Sequence, residues 1–582
     1  MVRQFDASRL RPRCLSYDAT GHNLAVGFTS GIVKVIDSVS LDDVTTFKNS
    51  KDPCVRCSFS PLGDFLATAD AAHYMYIYKL EVEEVPMDAA KAALEGGGDG
   101  LDGGVPMVAK TTWGYLGRYR SHSLPITALE FGLRDGGAQC LVSVSEDRTL
   151  CEYDLERSTM ETGVLLREPP KVIEQTAIPT AATWHPLLGS GASRDFEDRI
   201  VTANTDFKLV QWNADNKGCR RTSLGPTFGG PITRMIPLVP EGTGQNPSGY
   251  GDGEDGGGMG AGSLSTERAE RGVLMDTGTA EMLVTKKPFV AYATAEKVVG
   301  LAKMPFDGNP AKNMGLIAHP GGVSAIAVSG DAGLLATAGG ADQTVNLWSI
   351  NTAVVDAAEI ASLVGSGEGG EIEPSVAPFV AMLDGGEGGE AHEELIDYFY
   401  YAQLRTEGED NTKPRQITNA VPLAEIPNLM RALGYYPSER EVSNMVNEVK
   451  YADFTTLGTV KDQIALDEFI ALYVNHRPVF GVNKAQIEQA FNVLSKGAAN
   501  HEMGDGGAAQ LHGFADASKP IDWGSLKEHL LSAGESLTED DLATCLRALT
   551  GLEDLPEGDL SSEAFVEQVL GFEDYSVQSN GE

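Results

Sequence analysis

The chain has 582 residues, enough for three or four domains of ordinary size, or for one large repeat domain with a smaller one. It carries 45 basic and 83 acidic side chains, and residues 351–582 hold 41 of the acidic ones against 13 basic ones. The resulting net charge of −38 argues against binding to nucleic acid or to an anionic membrane and favours basic protein partners, with a merely solubilising acidic half as an equal alternative.

The cysteine content and the lengths of the apolar runs limit the cellular compartment in which the protein is expected. Seven cysteines in a chain of this length do not indicate a disulfide scaffold. The first residues contain no apolar run typical of a signal peptide, and no apolar stretch approaches the ~18 residues of a membrane span. We therefore expect a protein of a reducing intracellular compartment, without a signal peptide or transmembrane segment.

Cys54 and Cys57 form a C-x-x-C pair in the stretch PCVRCSFSP, which predicts a strand. Residues three apart in a strand face opposite sides of the sheet, and no second Cys or His pair lies nearby in the sequence. We therefore do not expect a zinc site at this pair.

Blade-like segments recur through the first 355 residues. Each consists of runs with the period of a half-buried strand, separated by turns rich in Gly or Asp. The sixth segment is the most complete, and its residue order resembles a WD repeat of about 40 to 45 residues. The six segments are Arg13–Asp37, Cys54–Leu80, His122–Leu155, Thr176–Ala214, Pro231–Met304 and His319–Asn351.

We predict that residues 1–355 form an all-β WD-repeat β-propeller, because repeated four-stranded sheets bury their faces only against neighbouring blades. About six blades are recognisable, and a seventh is left open. Two inserts rich in Gly and acidic residues, near 81–104 and 242–263, interrupt the second and fifth segments. They contain too little apolar surface to fold, so we expect mobile loops.

A His, a Ser or Thr, an Asp and an aromatic residue recur together in these segments. Such a set can form a hydrolase triad, but a catalytic set occurs once in a chain rather than once per blade. The recurrence indicates the structural hydrogen-bond network of WD repeats, since buried polar groups need partners. We therefore expect no catalytic residues and no enzyme. The network residues are His122, Ser143, Asp147, Tyr153, Asp206, Trp212, His319, Thr337, Asp342 and Trp348.

The composition shifts to Gly, Glu, Ala and Pro at residues 356–389, where we expect a flexible acidic linker. The GSGEGG stretch within it matches G-x-G-x-x-G but follows no predicted strand and opens no predicted helix, so we assign it to the linker. Beyond residue 389 the apolar period changes from two to 3.6, which predicts amphipathic helices.

Two helix–linker–helix segments in the tail predict an all-α, calmodulin-like domain of degenerate EF-hands. We place one lobe at 390–480 and a second at 481–575. The acidic charge and an apolar groove favour binding of a basic, amphipathic helix from a partner. Alternatively, the apolar stripes only pack on each other inside a closed lobe. The candidate groove residues are Ile426, Leu429, Met430, Leu433, Met445 and Val446.

Calcium binding is not expected, so we predict no cofactor. An EF-hand loop needs oxygen ligands at positions 1, 3 and 5, Gly at 6 and a bidentate Glu at 12, and each loop of the tail departs from this pattern. The acidic residues that remain as weak metal candidates are Glu425, Glu468, Glu553 and Glu557. A calcium-responsive regulatory tail is the alternative hypothesis.

Three long runs carry a resemblance to a known family. FVAYATAEKVVGLAKMPFDGNPAKNMGLIAHPGGVSAIAVS spans the last two blades, and LMRALGYYPSEREVSNMVNEVKY and LYVNHRPVFG lie in the tail. Together with the WD repeats and the helical tail, these runs resemble the family of cilia- and flagella-associated protein 251. The resemblance covers most of both domains, but the longer N-terminal region expected of the family does not precede the first blade.

This resemblance implies a non-enzymatic scaffold of the motile-cilium axoneme, part of the cytoskeleton. It implies a place in the calmodulin- and spoke-associated complex at the radial-spoke base, supporting spoke assembly and the regulation of ciliary and flagellar motility. The implied partners are the other subunits of that complex, including calmodulin, together with radial-spoke and axonemal microtubule proteins. A general WD-repeat adaptor of another cytosolic complex is the further alternative, because fold alone does not assign function.

Overall fold

The computed structural model describes residues 10–18, 20–86, 107–134, 138–185, 199–238, 289–329, 332–340, 342–364, 376–408, 418–454, 458–480, 487–494 except 489 and 492, 520–533, 536–555 and 558–571. The chain separates into two compact units. The first comprises residues 1–436 and 442–477, and the second comprises residues 437–441 and 478–582. Within the described residues, no helix is both long and apolar enough to cross a membrane.

Six antiparallel sheets follow one another in the first unit, and each is a propeller blade. Blade one consists of β1 (Pro12–Tyr17), β2 (Asn23–Phe28), β3 (Val33–Asp37) and β4 (Asp43–Phe47). Blade two consists of β5 (Cys54–Phe59), β6 (Phe65–Asp70), β7 (Tyr74–Pro86) and β8 (Met107–Arg120). Blade three consists of β9 (Ile126–Leu133), β10 (Gln139–Ser145), β11 (Thr149–Thr159) and β12 (Gly163–Leu166), and β13 (Lys171–Val172) pairs with β11. Blade four consists of β14 (Pro179–His185), β15 (Arg199–Asn204), β16 (Lys208–Asn213) and β17 (Cys219–Leu224). Blade five consists of β18 (Ile232–Leu238), β19 (Phe289–Thr294), β20 (Val298–Lys303) and β21 (Asn313–Ile317). Blade six consists of β22 (Val323–Val328), β23 (Leu334–Gly339) and β24 (Val345–Ser349).

Apolar clusters between consecutive blades hold the propeller together. Ile77 of blade two packs in one cluster with Leu141 and Tyr153 of blade three. Val142 of blade three and Trp184 of blade four belong to the next cluster. Full burial of an apolar side chain of this size stabilises the fold by ~1.5–3 kcal/mol, so each blade depends on its neighbours. The predicted WD-repeat propeller is confirmed, and the described residues form six blades.

The first acidic insert is partly a strand. The β7–β8 ladder continues from Tyr74 opposite Arg120 to Pro86 opposite Met107, so the acidic residues 81–86 form part of it. An antiparallel ladder can extend beyond the blade, because each added residue gains backbone hydrogen bonds regardless of its side chain. The expectation of a mobile loop over 81–104 is therefore corrected for 81–86, and residues 87–104 and 242–263 lie outside the described residues.

The region expected to be a linker contains helices. Helix α1 (Ala353–Val364) is held to blade five because the ammonium group of Lys303 contacts the carboxylates of both Asp356 and Glu359. Helix α2 (Ala377–Val380) follows, and Phe379 is buried. The flexible linker predicted over 356–389 is therefore corrected for its described residues, 356–364 and 376–389. Apolar and charged side chains there have partners that composition alone does not reveal.

The first helical lobe continues the first unit. It contains α3 (Glu390–Glu407), α4 (Ile426–Ala432), α5 (Glu439–Lys450) and α6 (Leu466–His476). Strand β25 (Ala420–Pro422) precedes α4, strand β26 (Gln463–Ala465) precedes α6, and the two pair antiparallel. Phe399 and Phe469, whose ring centroids lie 6.0 Å apart, form part of the buried core of the lobe.

The second unit has a similar local pattern. It contains α7 (Trp523–Ser532), α8 (Glu539–Thr550) and the short α9 (Ser562–Ala564), which continues into a π-helical turn at Phe565–Val569. Strands β27 (Ile521–Asp522) and β28 (Asp559–Leu560) pair antiparallel. Its core includes Trp523, Leu526, Leu542 and Val566.

The two faces of blade six differ in burial. Leu335 and Trp348 lie opposite each other in the ladder and belong to the apolar cluster shared with blade five. Val345 and Leu347 lie on the other face, where they are 74% and 68% exposed. Apolar side chains on the two faces of this sheet therefore contribute very differently to stability.

We expect Leu335→Ala to lower the free energy of unfolding by ~2–4 kcal/mol, because it leaves a cavity between blades five and six. The matched variant Leu347→Ala should change it by less than about 0.5 kcal/mol, because its side chain is exposed. Denaturant unfolding of the whole chain measures both values. Equal losses in the two variants would mean that the outer face of blade six is covered in solution.

Candidate interaction site where the propeller meets the first helical lobe

His122 heads a polar network in blade three. Its Nε2 atom lies 2.7 Å from Ser143 Oγ, and its Nδ1 atom lies 3.2 Å from Asp147 Oδ2. Ser143 Oγ in turn lies 2.8 Å from the Tyr153 hydroxyl. Burial acts to raise the pKa of Asp147, but hydrogen bonds from His122 and Thr149 hold it below its ordinary value. The network ties the entry loop to the strands of the blade.

Blade six repeats this arrangement. His319 Nδ1 lies 2.8 Å from Asp342 Oδ2, and His319 Nε2 lies 2.8 Å from Thr337 Oγ1. Trp348 Nε1 donates to Thr337 Oγ1 over 3.0 Å. The Thr344 amide and His319 lower the pKa of Asp342. Because the same geometry occurs in two blades, a structural role explains it better than catalysis does.

Blade four contains part of the same set. Trp212 Nε1 donates to Thr202 Oγ1 over 2.8 Å. Asp206 lies in the turn between β15 and β16, where its amide donates to Asn204 Oδ1 over 3.1 Å. The hydrogen bonds described here for the residues of the WD pattern therefore lie within single blades.

Asn475 joins the first helical lobe to two blades. Its Oδ1 atom accepts a hydrogen bond from the Leu224 amide over 3.0 Å, and its Nδ2 atom donates to the Asp307 carbonyl over 2.9 Å. Gly308 lies beside it, and a Cβ atom there would come within 1.8 Å of Asn475 Oδ1. With φ at +87°, this position favours glycine for its backbone as well as for its space. One buried amide on helix α6 thus contacts blade four and the connection between β20 and β21 of blade five.

Lys208 completes the contact from blade four. Its Nζ atom donates to the carbonyl oxygens of Asn475 and Arg477, over 2.6 Å and 2.7 Å. These carbonyls end helix α6, where the aligned peptide dipoles concentrate negative charge. Lys208 is buried, and a buried ammonium group is stable only when such acceptors replace its water. We call Lys208, Leu224, Asp307, Gly308 and Asn475 the junction.

Glu448 on α5 extends the junction along β17. Its Oε2 atom accepts a hydrogen bond from the Thr222 amide over 3.1 Å and lies 3.1 Å from His476 Nε2. Arg221 Nε lies 3.6 Å from the other carboxylate oxygen. Helices α5 and α6 therefore contact the outer strand of blade four through polar groups with defined partners.

Sequence reasoning did not single out these residues. Asp307 and Gly308 lie in one of the runs that carry the family resemblance, and Asn475 lies in another. Hydrogen bonds between a side chain and a distant backbone leave no spacing pattern in a sequence. The available signal was the placing of Asn475, His476 and Arg477 directly after an apolar helix stripe.

The candidate groove residues are core residues in this structure. The four buried residues are Ile426, Leu429, Met430 and Met445, and the two half-buried residues are Leu433 and Val446. The predicted groove is therefore not accessible in this conformation. Partner binding through it stays a prediction that requires the lobe to open.

Basic side chains pair with the metal candidates of the first lobe. Arg405 forms an ion pair with Glu425. Lys461 Nζ lies 2.6 Å from Glu468 Oε1 and 3.0 Å from Asp453 Oδ2. Partial burial acts to lower the pKa of Lys461, but Glu468 and Asp453 together hold it above its ordinary value. An ammonium group thus lies between the carboxylates that a cation would need.

The second unit pairs its carboxylates in a similar way. Glu553 forms an ion pair with Arg547, and Lys527 Nζ lies 2.5 Å from Asp554 Oδ2. Glu557 lies outside the described residues. Among the residues that the structure describes, no three His, Cys, Asp or Glu side chains are close enough together to hold a metal ion.

We expect Asn475→Leu to lower the free energy of unfolding of the first unit by ~2–4 kcal/mol, because it leaves the Leu224 amide and the Asp307 carbonyl buried without partners. The matched control is Asn447→Leu, since Asn447 is exposed on α5. Thermal unfolding, together with hydrogen exchange at the β17 amides, measures the effect. Identical behaviour of the two variants would contradict the role assigned to Asn475.

Comparison with known proteins places these features in a family. The model of the CFAP251 C-terminal domain matches residues 390–570, and that of the WD domain, G-beta repeat, matches residues 311–349. Among solved structures, a chain in the crystal structure of the mitotic checkpoint complex aligns with 60% of this chain and 76% of its own length, at 15% identity. Its TM-score of 0.37 is too low to support an argument.

Curated relatives match nearly the whole chain. Cilia- and flagella-associated protein 251 of Mus musculus is 32% identical over 94% of this chain and 35% of its own length. The proteins of the same name from Tetrahymena thermophila and Pongo abelii are 28% and 31% identical, over 99% and 96% of this chain and 54% and 40% of theirs. The chain thus spans between a third and about half of the length of these relatives. The resemblance inferred from the three runs is confirmed, and the chain belongs to the family of cilia- and flagella-associated protein 251.

Proposed function

We propose that the chain is a non-enzymatic scaffold of the ciliary and flagellar axoneme, within the calmodulin- and spoke-associated complex at the base of radial spokes. The observation that carries this proposal is the junction, because Asn475 and Lys208 fix a helical lobe on a rigid propeller. Surfaces held in a fixed arrangement bind several partners at a lower entropic cost than surfaces joined by a flexible linker. The assignment to the cilium and flagellum rests on the relatives, which are cilia- and flagella-associated proteins.

The tail is proposed to consist of two EF-hand-like lobes of the calmodulin type. In the first lobe, β25 and β26 pair between two helix–loop–helix segments, and β27 and β28 form the same short ladder in the second unit. A short ladder that couples two such loops is the arrangement expected of an EF-hand pair. The cation pairs at Glu425 and Glu468 favour lobes that keep this arrangement without metal.

The proposed partners are the other subunits of the complex, calmodulin among them, with radial-spoke and axonemal microtubule proteins. Residues 351–582 carry 41 acidic and 13 basic side chains, which supports an attraction to basic segments of these partners. Such an attraction weakens as salt shortens the Debye length from ~10 Å at 0.1 M to ~3 Å at 1 M. The proposal therefore includes a salt-dependent contact through the tail.

We expect the chain to bind no calcium ion tighter than about 10 µM, the weak end of the sensor range. Lys461 already pairs with Asp453 and Glu468, so a calcium ion would have to displace an ammonium group. Calorimetric titration of the whole chain is the measurement, with Glu468→Gln as the control. Tight binding that Glu468→Gln abolishes would favour the calcium-responsive alternative.

Cross-linking mass spectrometry on isolated axonemes tests the scaffold proposal. We expect the tagged chain, expressed in ciliated cells, to remain with the axoneme after detergent extraction and to cross-link to calmodulin and to radial-spoke proteins. Asn475→Leu should reduce this retention severalfold relative to Asn447→Leu, because it releases the lobe from blade four. Recovery of the unaltered chain entirely in the soluble fraction would overturn the proposal.

A further inference from the structure

Two thiols from neighbouring blades lie in contact near the inner edge of the propeller. Cys14 belongs to β1, the first strand of blade one, and Cys54 belongs to β5, the first strand of blade two. Their Sγ atoms are 3.4 Å apart. Cys54 is buried, whereas Cys14 is half-buried, so part of its surface reaches the solvent. Both are present as free thiols.

The backbone leaves room for this pair. Gly27 lies opposite Cys14 in the β1–β2 ladder, and a Cβ atom there would lie 2.6 Å from both sulfur atoms. A side chain at this position would force the two thiols apart. The ladders of both strands also shift register at this place, between Pro12 and Cys14 and between Cys54 and Arg56.

The register shift in β5 changes the expected position of Cys57. A bulge interrupts the alternation of side chains, so residues three apart no longer face opposite sides. Hydrogen bonding with Cys54 and Cys57, with a smaller contribution from the Arg56 guanidinium, lowers the pKa of Cys14 to about 4. The interaction with Cys14 and burial raise the pKa of Cys54. The two shifts have opposite directions, so ionisation within the pair is favoured at Cys14.

We propose that Cys14 and Cys54 form a redox-sensitive pair that a peroxide converts into a disulfide between blades one and two. The Cys14 thiolate attacks one peroxide oxygen, the O–O bond breaks, and the products are a sulfenic acid on Cys14 and hydroxide. The Cys54 sulfur then displaces the sulfenic hydroxyl group, which leaves as water with the Cys54 proton. The two sulfur atoms are oxidised by two electrons in total, and the peroxide is reduced by two.

The arrangement has the parts that such a sensor needs. A reactive cysteine of this kind is accessible, carries a thiolate and lies beside a second cysteine that resolves the sulfenic acid. In a reducing compartment, disulfides are typically transient and redox-sensing rather than structural. The bond would close a covalent link across a contact that otherwise consists of packing between β1 and β5. This proposal is independent of the scaffold function.

Oxidation of the whole chain by stoichiometric hydrogen peroxide, followed by blocking of free thiols and peptide mapping, tests the proposal. We expect a linked pair of peptides containing Cys14 and Cys54, lost on reduction. The exposed thiol of Cys545 serves as an internal comparison, and it should be oxidised at least about tenfold more slowly than Cys14.

Two variants complete the test. Cys54→Ser should leave the sulfenic acid on Cys14 trapped, so that dimedone labels it severalfold more than in the unaltered chain. Cys14→Ser should abolish the linked peptides, and thermal unfolding checks that both variants fold. The proposal is overturned if Cys14 stays open to alkylation after peroxide treatment, or if it is found linked to Cys57 instead.

Discussion

A buried ammonium group facing the end of a helix is the interaction on which the first unit depends. The carbonyls of Asn475 and Arg477 replace water around the buried ammonium group of Lys208, and the last carbonyls of a helix lack partners within it. Blade four therefore supplies a donor for the unpaired carbonyls of the helix, and the helix supplies acceptors for the buried ammonium group. Separation of the two surfaces would remove these hydrogen bonds, and the lobe belongs to the same compact unit as the propeller.

The connection between β20 and β21 of blade five extends this constraint to a third element. The carbonyl of Asp307 accepts the hydrogen bond from Asn475, while its carboxylate forms an ion pair with Lys312. Lys312 also lies 3.6 Å from Glu359 of α1. Loss of one partner in such a network leaves the next one buried and unpaired, so its members are coupled rather than additive. This coupling gives the unit a single arrangement of blades and helices.

The sequence predicted the features that depend on residues close together in the chain, and it missed contacts between residues far apart in the chain. The blades follow from alternating side chains and turns within about 40 residues, and the networks of His122 and His319 follow from their repetition. The carboxylate of Asp70 in blade two accepts its side-chain hydrogen bonds from Ser50 and Tyr76 rather than from a His or a Trp, so it does not follow the repeated pattern.

The junction joins residues 168 and 251 positions apart, and no periodicity records a contact of that separation.

Long-range polar contacts of this kind also decide how the tail is used. In a calcium-binding lobe, metal supplies the charge that holds carboxylates together, so its removal changes the structure. Here Lys461 supplies a positive charge from within the chain. This positive charge reduces the repulsion between the carboxylates without a metal ion, and the lobe in this structure is closed around Met430 and Met445. The proposed scaffold role uses this arrangement, because a closed lobe fixed to a propeller acts by position rather than by switching.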